Sequence, residues 1–336
     1  MLALAARRST SFLPRFLAAR AKSTFGDNCP LVITPRQLSD LDPGKVSILD
    51  TSWHMPNSPR KAREEFLEKH IPRAQYLDLD EVASEHELGL KHMMPSPEKF
   101  SQACEQFGIS PSSHVVLYDT LGVFSSPRAL FMFRAFGHNR SSILDGGLHN
   151  WEAHGCPVES GKAQKHPKSS YPAPRLDDDV IKSYEQIMNN AGRDPSKDSA
   201  AELVLDARSQ GRWSGKDPEP RPGLSSGHIP YSTSLPFTTF LMKRTYTPAG
   251  AGSPITYTEL ASPSALHSTL EETLGKEVAD EVRSGKRRVV TSCGSGMTAG
   301  VIWLGLKQMG VEKVSLYDES WTGYAAREGS KIEKST

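Results

Sequence analysis

Four cysteines, Cys29, Cys104, Cys156 and Cys293, lie far apart in a chain of 336 residues with no CxxC pair among them. That spacing argues against a zinc knuckle, a thioredoxin-type motif or a disulfide scaffold, and a reducing compartment is the simpler reading. Cys293 alone stands where chemistry could follow. It ends the apolar run RVVTSC at 288–293 and leads into Gly294-Ser295-Gly296-Met297-Thr298, then into an apolar stretch of helical period. The two glycines let the main chain curl so that several N–H groups face one point, and the helix behind adds the positive end of its dipole. Such a cradle favours an anion, and the thiolate is the nucleophilic form of cysteine. The other three cysteines read as ordinary buried thiols. Phosphate-ester hydrolysis on a loop of this kind needs an arginine after five intervening residues; position 299 is alanine, which disfavours it. Ser295, two residues beyond the nucleophile, offers a hydroxyl able to donate a proton.

The elements that must hold this loop occur twice. KVSILD at 45–50 and ELVLD at 202–206 are short apolar strands ending in Asp, each followed by His-Ile-Pro, at 70–72 and 228–230. HVVLYD at 114–119 matches RVVTSC at 288–293, and both precede an apolar helix ending near Gly137 or Gly310; SSILDGG at 141–147 matches KVSLYDE at 313–319. Strands alternating with helices imply right-handed crossovers and a largely parallel sheet in each half, with ligands beyond the carboxyl ends of the strands. There the halves differ: the first carries Asp119-Thr120-Leu121-Gly122 where the second has its cysteine. Because His70 and His228 recur in both halves, a shared side-chain-to-backbone bond explains them better than catalysis or metal binding. Ser96-Pro97-Glu98 opens a helix through Phe107. Residues 157–179, with Pro157, Pro167, Pro172 and Pro174, read as an extended linker, and 242–266 as an exposed loop.

Composition bounds the rest. Lys and Arg number 40 against 39 Asp and Glu, so no basic field points to nucleic acid. Residues 1–26 hold Arg7, Arg8, Arg15, Arg20 and Lys22 and no acid, leaving 35 basic against 39 acidic residues beyond them. That segment has the make-up of an amphipathic mitochondrial presequence. Val301–Leu306 is far too short to cross a bilayer, and a soluble protein without membrane partners is expected.

The strand-Cys-loop, the paired halves, Gly211-Arg212, Glu219-Pro220-Arg221, Gly227-His228-Ile229-Pro230, Leu49-Asp50-Thr51-Ser52-Trp53 and Leu144-Asp145-Gly146-Gly147 together resemble the two-domain rhodanese-type sulfurtransferases. The loop CGSGMT is most similar to the branch that uses 3-mercaptopyruvate. The resemblance implies two tandem rhodanese-like domains, each a mainly parallel sheet flanked by helices. Their expected limits are a presequence at 1–26, a non-catalytic domain at 27–156, the linker at 157–179, a catalytic domain at 180–327 and a tail at 328–336. It further implies sulfur transfer through a Cys293 persulfide to a thiol such as thioredoxin or a small thiol, or to cyanide, with pyruvate released and neither metal nor dissociable cofactor. Thiosulfate-using relatives carry Arg and Lys directly after the cysteine; Gly294 and Ser295 here suit a singly charged organic donor. Arg212 and Arg221 are implied to bind the donor, with Gly294, Gly296, Met297 and Thr298 forming the loop around it, and Arg208 reads as structural. A relay of Ser295, His92 and Asp80, with Asp78 as the alternative acid, is implied to move the proton. A thiosulfate:cyanide sulfurtransferase and a non-catalytic persulfide carrier are the competing readings. Glu319 and Met297 depart from the family pattern.

Overall fold

Runs of β-branched and aliphatic residues bounded by turn residues become short strands, and both main sheets pair entirely in parallel. The computed structural model describes residues 25–26, 29–164, 166–248, 250 and 252–335; the presequence expected at 1–26 lies outside them except for Phe25 and Gly26. One sheet holds β1 (Val32–Ile33), β2 (Val46–Asp50), β3 (Gln75–Tyr76), β4 (His114–Tyr118) and β5 (Ser141–Leu144) in the order β1-β5-β4-β2-β3. β6 (Ile181–Lys182), β7 (Leu203–Asp206) and β8 (Thr233–Ser234) open the second half, followed by a hairpin of β9 (Leu241–Tyr246) and β10 (Ile255–Leu260). With β11 (Val289–Ser292) and β12 (Val314–Tyr317) they complete the second sheet, β6-β12-β11-β7-β8. Its order repeats the first strand for strand, so β11 is the counterpart of β4 and Cys293 that of Asp119.

The helices that follow those two strands, Ser126–Ala135 and Ala299–Gln308, are apolar on nearly every face and almost wholly buried. A helix of that composition must be covered all round, and these two cover each other. Phe131 and Trp303 meet edge to face at 5.3 Å, and a Cβ on Gly300 would lie only 2.8 Å from the main-chain nitrogen of Arg128. One continuous apolar core therefore runs from the first sheet to the second, while smaller clusters close the outer faces. Cross-domain packing of this kind places the carboxyl end of β11 against the first domain.

Two expectations change. Residues 242–266 are not an open loop: β9 and β10 pair antiparallel over six positions. The hairpin is fastened to the first domain by Thr258 N–H to Leu121 O (3.0 Å), Val123 N–H to Thr258 Oγ1 (3.2 Å) and Leu260 N–H to Asp145 Oδ1 (2.9 Å). Gly122, at φ +108°, is required there, because a Cβ would run into Thr258 O. The β-branched and aromatic residues of ITYTEL were the available signal, obscured by the Gly-, Pro- and Ala-rich sequence before them. Within the expected linker, Tyr171 is bound to the first domain: it is buried, its main-chain carbonyl accepts the Ser101 hydroxyl at 2.5 Å, and its phenol lies 2.9 Å from His138 Nδ1.

His70 and His228 serve one repeated purpose. His70 Nδ1 lies 2.7 Å from Phe66 O and its ring stacks on Phe66; His228 Nδ1 lies 2.9 Å from Trp213 O and stacks on Trp213. Each bridges to a glutamate strand segment, Glu159 or Glu333, so both tie down a chain crossing.

Candidate active site

Cys293 follows the central strand β11, is 2% exposed and is buried at the edge of the shared apolar core together with Met297. Its N–H donates to Ser320 Oγ at 3.1 Å, and that hydroxyl donates to Tyr317 O at 2.9 Å. Ser320 holds φ at +51°, a conformation costly for a residue with a side chain and most often met where function demands it. Gly147 occupies the matching turn of the first half at φ +54°. Glu319 keeps an ordinary helical φ of −67° where Gly146, its counterpart in the first half, holds +70°. Cys293 O and Gly294 O accept N–H groups from Trp321 and Thr322, both at 2.9 Å. With its carbonyls fixed in this way, the loop keeps its donors: among the described residues, the N–H groups of Gly294 to Thr298 donate to no other group of the protein. Gly296 sits at φ +84°, the left-handed conformation that glycine adopts without penalty.

The first half shows what such a loop does with an anion. The Asp119 carboxylate accepts the N–H groups of Leu121, Gly122, Phe124, Ser125 and Ser126 at 2.9–3.0 Å, and the Ser126 hydroxyl at 2.7 Å. An internal carboxylate fills that cradle, whereas the second half presents a sulfur.

Arg212 and Arg221 converge on the loop. A Cβ on Gly294 would lie 3.2 Å from Arg212 Nη2 and 3.5 Å from Arg221 Nη1, so both guanidinium groups reach the residue that follows the cysteine. The two arginines differ. Arg212 is held by Glu219, at 3.2 Å through Nε and 2.5 Å through Nη2. Arg221 is half-buried and has no hydrogen-bond or acid partner among the described residues. Arg208 is fully engaged by Asp206, Glu219 and Gly227 O and lies over the Trp321 ring at 4.2 Å, a structural role.

From the first domain come His92 and Asp80. His92 is 1% exposed, with Nδ1 3.0 Å from Asp80 Oδ1 and its ring edge-on to Trp53 at 5.1 Å. Trp53 Nε1 donates to the other Asp80 oxygen at 3.1 Å. Partial burial opposes ionisation of Asp80, but its bonds to His92 and Trp53 prevail and hold the carboxyl below its usual range. Asp78, the alternative acid, instead accepts the Asp80 N–H at 2.9 Å. His92 Nε2 is buried without a partner, and Ser295, half-buried, makes no hydrogen bond among the described residues. The structure thus joins His92 to Asp80 and leaves the expected Ser295–His92 link unmade. Met297 is 2% exposed and, like Cys293, lies in the shared core, and Thr298 stands at the N-cap position of the following helix without a side-chain cap bond. Sequence reasoning missed Ser320, Trp53, Arg128 and Asp318, each of which reaches the site through tertiary packing that no local pattern announces. Among the described residues no group of three or more His, Cys, Asp or Glu side chains is placed to hold a metal ion.

With this geometry in view, comparison with known proteins is informative. A family model described as the rhodanese-like domain matches residues 36–154 and 185–327. The chain is 37% identical over 284 residues to a 3-mercaptopyruvate sulfurtransferase of Homo sapiens, covering 84% of this chain and 86% of that protein. It is 36% identical over 301 residues to a thiosulfate sulfurtransferase of Bos taurus, covering 87% and 90%. Among solved structures, the sulfur transferase subunit of yeast mitochondrial complex I superposes with a TM-score of 0.76 at 28% identity, covering 91% of this chain and all of that one.

Proposed function

The chain belongs to the rhodanese-like family and is a sulfur-transferring enzyme; from that premise we propose that its donor is 3-mercaptopyruvate and that Cys293 carries the sulfur as a persulfide. The observation that carries this reading is the convergence of Arg212 and Arg221 over Gly294, next to the cysteine and in a loop whose N–H groups make no bond among the described residues. Overall identity does not choose the donor, since the two kinds of relative are almost equally similar. The loop supports the choice: Gly294 and Ser295 add no charge beside the sulfur, and the planar fork of Arg221 is free to take a carboxylate.

In the first half-reaction the Cys293 thiolate attacks the donor sulfur. A sulfur–sulfur bond forms, the carbon–sulfur bond breaks, and its electron pair passes into the neighbouring ketone as an enolate. The proton given up by the donor sulfur is the one the enolate carbon gains, so pyruvate leaves and the enzyme holds an anionic persulfide. Ser295 and His92, which are not bonded to each other before the donor enters, are the groups assigned to carry that proton, with Asp80 orienting the His92 ring and leaving Nε2 as its accepting nitrogen. The loop N–H groups stabilise the persulfide as the first-domain loop stabilises Asp119. In the second half-reaction an acceptor thiol takes the outer sulfur and returns the Cys293 thiolate, the two-step pattern of a covalent intermediate. Thioredoxin, small thiols and cyanide have the required nucleophilic atom. The basic, acid-free segment at 1–26 and the mitochondrial setting of the yeast relative support action in mitochondria.

Assay of both donors at equal concentration tests the reading. Pyruvate release from mercaptopyruvate should exceed the rate with thiosulfate, and the reverse order would assign thiosulfate as the donor.

A further inference from the structure

Arg128 belongs to the first domain yet ends beneath the cysteine loop of the second. It is 1% exposed and sits in the first turn of the Ser126–Ala135 helix. That helix start is fixed by Asp119, whose carboxylate accepts the Phe124, Ser125 and Ser126 N–H groups. Nη2 of Arg128 donates to His92 O at 2.7 Å and to Asp318 Oδ1 at 2.5 Å. The other Asp318 oxygen accepts the Met94 N–H at 2.9 Å. Nη1 is buried without a hydrogen-bond partner among the described residues and lies 3.4 Å from where a Cβ on Gly296 would stand. His92 itself carries φ +47°, a strained state that its surroundings must enforce.

One guanidinium thus touches the carbonyl of His92, the aspartate that follows the strand beside Cys293, and the floor of the loop. We propose that Arg128 is a positioning residue for sulfur transfer: it sets the height of His92 against the Cys293 loop across the domain boundary. The proposal rests on the reading that Cys293 and His92 serve the reaction. A buried ion pair is weak evidence for stability, since apolar residues of similar volume often replace one without loss. Its retention at this point is explained by geometry instead, for a displacement of about 1 Å at reacting groups can cost roughly 100-fold in rate.

The paired variant Arg128→Met with Asp318→Asn removes both charges together, preserves volume and leaves an acceptor for the Met94 N–H. Arg128→Lys keeps the charge and loses the fork. With mercaptopyruvate as donor, kcat should fall roughly 100-fold in the paired variant and about tenfold in Arg128→Lys, with KM changed by less than about threefold because Arg212 and Arg221 are untouched. Thermal unfolding of both should match the wild type, and iodoacetamide should alkylate Cys293 at the wild-type rate. Wild-type kcat in either folded variant overturns the proposal, as does a rise in KM in place of the fall in kcat. A parallel search for an added sulfur on wild-type Cys293 separates the two ideas. Its absence removes the site reading, whereas its presence alongside unchanged kcat in the variants removes only the role of Arg128.

Discussion

Arg221 and Arg212 approach the same point over Gly294 but should not be equivalent when removed. Arg221→Met takes away a guanidinium that nothing else engages among the described residues. A hydrogen bond between charged partners contributes about 1.5–3 kcal/mol, so kcat/KM for mercaptopyruvate should drop roughly 10- to 150-fold. Arg212→Met has a second consequence. Glu219, whose side chain is 1% exposed, keeps only Arg208 as a counter-charge. It then faces the donor carboxylate, and two like charges about 5 Å apart at an effective dielectric near 20 repel by about 3 kcal/mol. The combined loss is on the order of 1,000-fold or more. Adding Glu219→Gln to Arg212→Met removes that repulsion and should bring the loss back to the range of Arg221→Met. Coupled detection of pyruvate across a range of mercaptopyruvate concentrations measures all three variants. The reasoning is refuted if Arg221→Met stays within about threefold of the wild type, or if the double variant is no better than Arg212→Met alone.

Burial pushes the Asp50 carboxyl from 3.8 up to about 7. The folded protein therefore holds a proton that the unfolded chain releases: this stabilisation is complete below the unfolded value and is lost as pH rises through about 7. Asp50→Asn keeps an acceptor for the Ser52 N–H and should flatten the pH dependence of unfolding, exceeding the wild type at alkaline pH by at most about 4 kcal/mol; parallel denaturation profiles for the two proteins would contradict this. Gly122→Ala would force a Cβ into Thr258 O at φ +108°, costing at least about 2 kcal/mol and exposing residues 241–260 to limited proteolysis; an uncut hairpin would show that the clasp is dispensable. Cys293→Ser should abolish pyruvate release, while Cys104→Ser should retain it, because burial raises the Cys104 thiol far above its ordinary value. Equal activity in the two would remove the mechanism.

The sequence already contained the repeat, because each half spells its central strands as short, mainly apolar runs with Asp or Cys at the carboxyl end. It also marked the cysteine loop, because Gly294 and Gly296 flank Ser295 in a pattern with a direct main-chain meaning. What it could not supply was the meeting of the halves. The Ser126–Ala135 and Ala299–Gln308 helices were legible as apolar, but their mutual packing, and with it the arrival of Arg128 at the second-domain loop, depends on tertiary contacts, whereas His92 was named only through the family resemblance. The choice of Asp80 over Asp78 likewise rests on a local bond, with Asp78 spent on the Asp80 N–H.

The central claim is that Cys293, at the head of a loop whose main-chain donors are unspent among the described residues, accepts a sulfur atom from mercaptopyruvate. Peptide mass spectrometry of the intact enzyme, treated with mercaptopyruvate in the absence of an acceptor thiol, tests it most directly. An added sulfur should appear on the peptide containing Cys293, should be absent from those with Cys29, Cys104 and Cys156, and should disappear when a thiol is supplied. An unmodified Cys293, or a persulfide on another cysteine, would contradict the account.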